Sequence, residues 1–139
     1  MGILEEIINL DYSKIESKAL DFIRKYASSA GVDGAILGLS GGVDSSVTAT
    51  LLTKALGREN VLALIMSHKE ISKCDVEDAV EVARLLGISY KVINIDECVK
   101  SIIESSPWLT KLIDKVVRGN IIARVRMVIL YYHANALKK

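Results

Sequence analysis

The sequence predicts an α/β fold in which a parallel sheet of three strands is flanked by helices. Short apolar runs alternate with longer segments that carry apolar side chains at helical spacing. Glycines lie at several of the boundaries between these strand-like and helix-like segments, as is typical of turns and helix ends. With 139 residues, 50% of them hydrophobic and 25% charged, the chain has the composition of a globular protein and the length of one domain. We therefore expect a single domain over residues 1–139.

The predicted elements alternate along the chain. Ser13 and Glu16 have the spacing of a capping box, and an amphipathic helix follows them up to Gly31. The first apolar run, residues 35–39, does not alternate with polar residues, which is typical of a strand covered on both faces. Pro107, the only proline, marks a break before the last helix. The predicted strands are 35–39, 61–66 and 90–95, and the later helices are 43–56, 76–86 and 120–137.

The first predicted strand has no predicted neighbour on one of its two edges. Right-handed crossovers place the strands in the order 3-2-1, with their carboxyl ends at one edge, where ligands usually bind. The first strand then has no neighbour on one side, although its sequence, AILGL, is among the most apolar in the chain. Three alternatives stay open: a further strand pairs beside it, a partner chain covers it, or the chain is incomplete.

The charge distribution excludes several classes of function. There are 18 basic and 17 acidic residues, so the net charge of +1 gives no broad positive surface for nucleic acid. Charged residues interrupt every long apolar stretch, which argues against a membrane span, and the acidic N-terminal residues do not resemble a secretory signal. Two cysteines outside any CxxC pair fit a reducing compartment. We expect a cytoplasmic protein that binds neither nucleic acid nor membranes.

The segment SGGVDSS, residues 40–46, is the strongest candidate for a binding site. It follows a strand and begins a helix, so backbone N–H groups and the positive end of the helix dipole meet there. Its glycines let the backbone approach phosphate oxygens, the hydroxyls of Ser40, Ser45 and Ser46 can donate hydrogen bonds, and Asp44 can bind a metal ion. Neither GxxxxGK[ST] nor GxGxxG is present, so this is a phosphate loop of another type.

Residues 40–46 resemble the pyrophosphate loop of the N-type ATP pyrophosphatases, which adenylate a substrate and release pyrophosphate. The resemblance implies a Rossmann-like sheet of the adenine-nucleotide-hydrolase type, ATP and Mg²⁺ as cofactors, and Asp44 as the metal ligand. The structural alternative is a tight turn in which Asp44 only begins the helix. The ATP-binding residues that the resemblance implies are Gly38, Leu39, Ser40, Gly41, Gly42, Val43, Asp44, Ser45 and Ser46.

Residues 119–135, GNIIARVRMVILYYHAN, resemble the GNxxARxRMxxLYxxAN segment of NAD synthetases, one family of that superfamily. This resemblance implies that Arg124 contacts the substrate deamido-NAD and that the last helix lies in a homodimer contact. Arg126 is interpreted as structural. Ser72 is a weak candidate for the adenine side. No chemistry is assigned to the other polar and aromatic side chains in these regions, which are His68, Tyr131, Tyr132 and His133.

The reaction implied by the resemblance is amidation of deamido-NAD. ATP adenylates its carboxylate, pyrophosphate leaves, and free ammonia displaces AMP. This chemistry needs positioning and charge neutralisation and no side-chain nucleophile, so no catalytic residue is assigned.

NAD synthetases continue after this segment with a GTxNKSE-like strand that contacts ATP and supplies a second metal ligand. The resemblance therefore implies that residues 1–139 form an incomplete domain. Two hypotheses stay open: a truncated or split synthetase, and a non-catalytic relic that binds ATP or pyrophosphate or only dimerises. A third, another ligase of the superfamily, requires the match over residues 119–135 to be accidental.

Overall fold

A computed structural model describes residues 10–69 and 73–139, and its helices and strands alternate as the sequence predicts. Two 3₁₀ helices, Arg58–Asn60 and Pro107–Leu112, lie between the larger elements, and the second confirms the predicted break at the proline. The larger elements are α1 (Tyr12–Ala30), β1 (Ala35–Gly38), α2 (Val43–Leu56), β2 (Val61–Ser67), α3 (Lys73–Leu86), β3 (Ser89–Asn94), α4 (Asp96–Glu104) and α5 (Lys115–Leu137).

The three strands form one parallel sheet with β2 in the centre, which confirms the predicted order. Ala35 pairs with Val61, and Leu62 pairs with Ser89. Because all strands run in the same direction, their carboxyl ends lie at the same edge of the sheet. The turn that follows β1 and the loops that follow β2 and β3 therefore share one edge of the molecule.

Helices cover both faces of the sheet, and alternate side chains of β2 enter two separate cores. The core on the α2 and α3 side contains Val61, Ala63 and Ile65 of β2, Ala49 of α2, and Ala79 and Ala83 of α3. The core on the α4 and α5 side contains Leu64 and Met66 of β2, Val99 of α4 and Val125 of α5. Burial on both faces explains why the β2 sequence does not alternate between polar and apolar residues, whereas β3, at the edge of the sheet, has no buried residue.

The first helix begins differently from the prediction. Asp11 caps it by accepting a hydrogen bond from the Lys14 N–H at 3.0 Å, so the predicted capping box starting at Ser13 is wrong. Glu16 instead pairs with Lys54 of α2 at 2.5 Å. The Arg24 guanidinium also donates to the last carbonyls of α2, at 3.3 and 3.4 Å. These contacts dock α1 along the α2 helix.

The last helix is longer than predicted. The Asp114 carboxylate accepts the Val117 N–H at 2.8 Å and caps α5 at Lys115, five residues before the predicted start. Gly119 stands in the first turns of the helix, and the low helix propensity of glycine explains why the sequence pattern indicated a later start. Within residues 10–69 and 73–139, no helix combines the length and the apolar composition that crossing a membrane requires.

One edge of β1 is unoccupied by any strand of the described residues. Leu39, the residue after β1, donates its N–H to the Leu64 carbonyl of β2 at 3.0 Å. Because successive residues of a strand direct their backbone groups to opposite sides, the amides of Ile36 and Gly38 face away from β2. The open side that the sequence predicted is therefore present in the fold.

Candidate functional site

The glycine-rich loop connects β1 to α2 at the carboxyl edge of the sheet. Gly38 is the last residue of β1, and Val43 is the first residue of α2. Leu39 is only 2% exposed, so its side chain belongs to the core and its backbone alone reaches the edge. The loop therefore leaves the sheet from a fixed, buried point.

Gly41 lets the loop lie directly against the first turn of α3. Its φ angle is +82°, and a Cβ atom there would stand 2.5 Å from the Asp75 carbonyl oxygen. Only glycine fits both the conformation and the space. The neighbouring Gly42 has extended backbone angles and precedes α2 as its N-cap residue.

The three loop hydroxyls bond within the loop. Ser45 and Ser46 each donate to the Gly42 carbonyl at 2.9 Å. Because the Ser45 hydroxyl is already used as a donor, Ser40 donates to it, at 3.0 Å between the two oxygens. In this conformation the three hydroxyls hold the loop in shape, and their donation to a ligand stays a prediction.

The backbone amides are left as the donors of the site. The first helical bond of α2 runs from the Ser46 N–H to the Gly42 carbonyl, at 3.1 Å. The N–H groups of Val43, Asp44 and Ser45 precede it and bond no other described residue. Three amides at the positive end of a helix, next to a rigid loop, form a site suited to an anion.

Asp44 lies on the solvent side of this loop, in the first turn of α2. Among the described residues, no three His, Cys, Asp or Glu side chains come close enough together to hold a metal ion. One carboxylate still fits Mg²⁺, which commonly takes one or two carboxylates and fills its other positions with phosphate oxygens and water. Val43 beside it is 74% exposed, an unusual position for an apolar side chain.

A cavity of about 360 Å³ opens beside the loop at the carboxyl edge. Gly38, Leu39 and Ser40 form one side of it, and Asp75 of α3 and Arg126 of α5 contribute charged groups. Leu64, Ile65, Met66, Val76 and Leu130 supply its apolar lining. Its size and mixed lining fit a small organic anion with an apolar part.

The two arginines of the last helix have different positions. Arg126 lines the cavity beside the loop and donates from Nη2 to the Met66 carbonyl at 3.4 Å. Arg124 is exposed and lines a separate cavity with Asn120, Ile121 and residues of neighbouring segments. Within this chain the predicted substrate arginine therefore stands apart from the loop, whereas the arginine interpreted as structural stands next to it.

A second polar cluster, at the ends of β2 and β3, was not predicted. His68 is 4% exposed, and its Nε2 lies 3.5 Å from Asp96 Oδ1. The same Oδ1 accepts the Lys69 N–H at 3.0 Å, and Asn94 donates to Oδ2 at 3.1 Å. The sequence did carry a signal, because His68 and Asp96 directly follow neighbouring parallel strands. Ser72, the weak adenine candidate, lies outside the described residues.

Comparison with known proteins places these features in a family. The family model for NAD synthase matches residues 15–139. The NH₃-dependent NAD⁺ synthetase of Pyrococcus horikoshii is 50% identical to the chain over 128 residues, which cover 92% of the chain and 46% of that protein. The chain spans about half the length of the curated relatives it matches.

Two solved structures are similar throughout the sheet and its helices. The NH₃-dependent NAD synthetase of Campylobacter jejuni, in complex with nitrate, has a TM-score of 0.83 and 37% identity and aligns with 91% of this chain and 53% of its own. The glutamine-dependent NAD⁺ synthetase of Acinetobacter baumannii, in complex with ADP, has a TM-score of 0.86 and 31% identity. It aligns with 91% of this chain and 24% of its own.

The close approach of Gly41 to α3 gives a first prediction. We expect Gly41→Ala to lower the free energy of unfolding by about 1–3 kcal/mol, because alanine is strained at this φ and meets the Asp75 carbonyl. Urea denaturation measures the change. Gly119→Ala is the matched control: apart from the neighbouring residues and the backbone of its own helix, no atom lies within 4 Å of a Cβ there, so it should stabilise α5 by about 0.5–1 kcal/mol. Equal stability of Gly41→Ala and the parent chain would contradict the strain expected of a side chain at this turn.

The hydrogen bonds to Asp96 give a second, pH-dependent prediction. The Lys69 backbone N–H holds the pKa of the Asp96 carboxyl below its ordinary value of 3.8, and the Asn94 amide acts in the same direction. A lowered pKa means that the ionised carboxylate stabilises the fold above pH 3.8 and loses this effect as the pH falls through the folded-state value. Asp96→Asn should therefore be less stable than the parent at pH 7.

The difference between Asp96→Asn and the parent should shrink as the pH falls below 3.8, which urea denaturation at a series of pH values measures. Glu97→Gln is the control, because that side chain is 84% exposed and its contact with Lys100 is 3.8 Å long. Glu97→Gln should change the free energy of unfolding little at any pH. A stability difference for Asp96→Asn that stays constant with pH would show that charge is not the cause.

Proposed function

The chain belongs to the NAD synthase family, and from this premise we propose that it forms the ATP-binding part of an ammonia-dependent NAD synthetase. The observation that carries the proposal is the set of unbonded amides of residues 43–45 at the start of α2, in a loop whose first residues line a cavity at the sheet edge. The Acinetobacter baumannii relative was solved with ADP, an adenine nucleotide with two phosphates. This likeness supports ATP as the proposed ligand of the loop and the cavity.

In this proposal the loop binds the β- and γ-phosphates of ATP. The three amides donate to phosphate oxygens, and the hydroxyl network keeps the amides in place before the ligand arrives. A loop that is ordered in advance loses little conformational entropy on binding. Asp44 would hold Mg²⁺, which neutralises part of the charge that the leaving pyrophosphate carries.

The reaction is the amidation of deamido-NAD. A carboxylate oxygen of the substrate attacks the α-phosphorus of ATP, the bond to the β-phosphate oxygen breaks, and pyrophosphate leaves. Ammonia then attacks the carbonyl carbon of the adenylate, and AMP leaves with the bonding electrons while nitrogen loses a proton. The residues of this chain contribute binding, orientation and a field of fixed donors around the phosphates.

Arg124 is the proposed contact for deamido-NAD. Its exposed guanidinium makes no ion pair with another described residue, and Asn120 lies one turn before it on the same helix. A free guanidinium beside an amide suits a substrate that carries phosphates and a carboxylate. This cavity shares no lining residue with the cavity beside the loop, so the substrate would extend along α5 from one to the other.

The outer face of α5 supports the proposed homodimer. Val128, Tyr131 and Tyr132 are 61%, 65% and 69% exposed, and Met127 lies next to them. An exposed apolar group of this kind on one helix is typical of a protein contact. His133, by contrast, donates from Nδ1 to the Ile129 carbonyl at 2.9 Å, which gives it a local structural role.

We also propose a cytoplasmic location. The two cysteines, Cys74 and Cys98, are both exposed and form no disulfide, which fits a reducing compartment.

A second candidate function rests on the loop and the cavity alone. In this candidate the protein binds ATP or pyrophosphate and dimerises but does not turn substrate over. The same loop and cavity support it, because they require only the residues already described. The two candidates differ in whether NAD is formed.

The activity assay separates them. We expect the chain to form NAD and pyrophosphate from deamido-NAD, ATP, Mg²⁺ and ammonium when it is combined with a polypeptide that carries the remaining half of the Pyrococcus horikoshii relative. Asp44→Ala should lower the rate by about 100-fold, because it removes the metal-binding carboxylate. Asp33→Ala, which removes an exposed carboxylate from another loop, is the matched control and should keep the parent rate.

Each result has a separate meaning. NAD formation by the chain alone shows that it assembles a complete site, and formation only with the added half shows that the chain supplies the loop to a larger site. ATP binding without NAD formation in either case supports the second candidate. Absence of ATP binding contradicts both.

The dimer gives a further prediction. The parent chain should sediment as a dimer, and Tyr131→Glu should sediment as a monomer because it places a charge in the apolar contact. Analytical ultracentrifugation over a range of protein concentrations measures both. Leu85→Glu is the control, since Leu85 is 78% exposed on α3, on the opposite side of the sheet. A parent chain that stays monomeric throughout would rule out this contact as a homodimer.

A further inference from the structure

We infer that Arg126 contacts the α-phosphate of the nucleotide bound in the loop cavity, an inference that rests on the proposed ATP binding. Its side chain is half-buried, and Arg126 lines the cavity together with the loop residues Gly38, Leu39 and Ser40. The contact would make it a binding residue of the site and not only a structural one.

The Arg126 guanidinium forms no salt bridge within the described part of the chain, although the Asp75 carboxylate lines the same cavity. The hydrogen bond of Arg126 to a protein atom is the one from Nη2 to the Met66 carbonyl at 3.4 Å. A guanidinium has five N–H donors, so most of them stay available. A half-buried cation in the cavity, at the same sheet edge as the three open amides of α2, adds a second source of attraction for an anion.

The lining of the cavity indicates which phosphate Arg126 meets. Leu64, Met66 and Leu130 form an apolar surface that suits a flat base, whereas the open amides at the start of α2 suit the terminal phosphates. Arg126 lies in the same cavity as the apolar surface and as Ser40, where the loop begins. A nucleotide whose base lies on the apolar surface and whose terminal phosphates bind the amides would have its α-phosphate between the two, close to Arg126.

This position matters for the proposed reaction. When a carboxylate attacks the α-phosphorus, negative charge builds up on the oxygens of that phosphate. A guanidinium already held against the Met66 carbonyl can donate to those oxygens without moving far. Arg126 would then stabilise the phosphate at which the new bond forms, while the loop holds the pyrophosphate that leaves.

The test measures affinities of the purified chain for adenosine, AMP, pyrophosphate and ATP by competition against a fluorescent ATP analogue. Arg126→Gln is the main variant, because glutamine keeps a polar N–H donor but carries no charge. We expect it to weaken AMP and ATP binding about tenfold and to change adenosine and pyrophosphate binding less than twofold. Arg126→Lys should recover part of the loss. Arg118→Met, which removes a cation from the first turns of the same helix, should leave all four affinities unchanged.

The other outcomes overturn the inference in recognisable ways. Four unchanged affinities in Arg126→Gln would mean that Arg126 acts only on the fold. Equal losses for all four ligands would indicate a collapsed cavity, and loss of pyrophosphate binding with AMP unchanged would place the arginine at the terminal phosphates. If the parent chain binds no ATP, the proposed function itself fails, which is a different result from any of these.

Discussion

Every part of the site depends on β2, which is hydrogen-bonded on both sides and buried on both faces. Each of its large apolar side chains contributes about 1.5–3 kcal/mol when it is buried. The last residues of the same strand also hold the neighbouring segments in place. The Met66 carbonyl accepts a hydrogen bond from Arg126, and the Ser67 carbonyl accepts one from the Ile95 N–H at 3.0 Å. The loop, α5 and the turn after β3 are therefore positioned against one rigid element.

Most of the fold could be predicted because its signals are local and repeated. Buried parallel strands are short apolar runs, and the helices between them show a different period. The cap of α1 was missed because Asp11 and Ser13 are both good N-cap residues, and local pattern does not decide between them. The turn between β1 and α2 was predicted, but the hydrogen bonds among its hydroxyls depend on distances of about 3 Å that only the folded chain defines.

The roles of the two arginines show where sequence reasoning ends. Val125 is the buried residue of the last helix, and Arg124 and Arg126 lie about 100° to either side of it. Helical periodicity alone does not distinguish the two positions, and the packing of α5 on β1 and β2 decides which of them borders the loop cavity. The pair of His68 and Asp96 was missed for a related reason. These residues are 28 positions apart and meet only because their strands are neighbours in the sheet.

The open side of β1 has a consequence for how the protein behaves in concentrated solution. Within the described residues, the outward amides and carbonyls of Ile36 and Gly38 are available to any extended segment that comes near. The strand has only four residues, so it offers few bonds and selects its partner weakly. A chain whose edge stays uncovered is thus exposed to sheet growth between molecules, and handling at high concentration or during refolding would favour aggregates rich in β-structure.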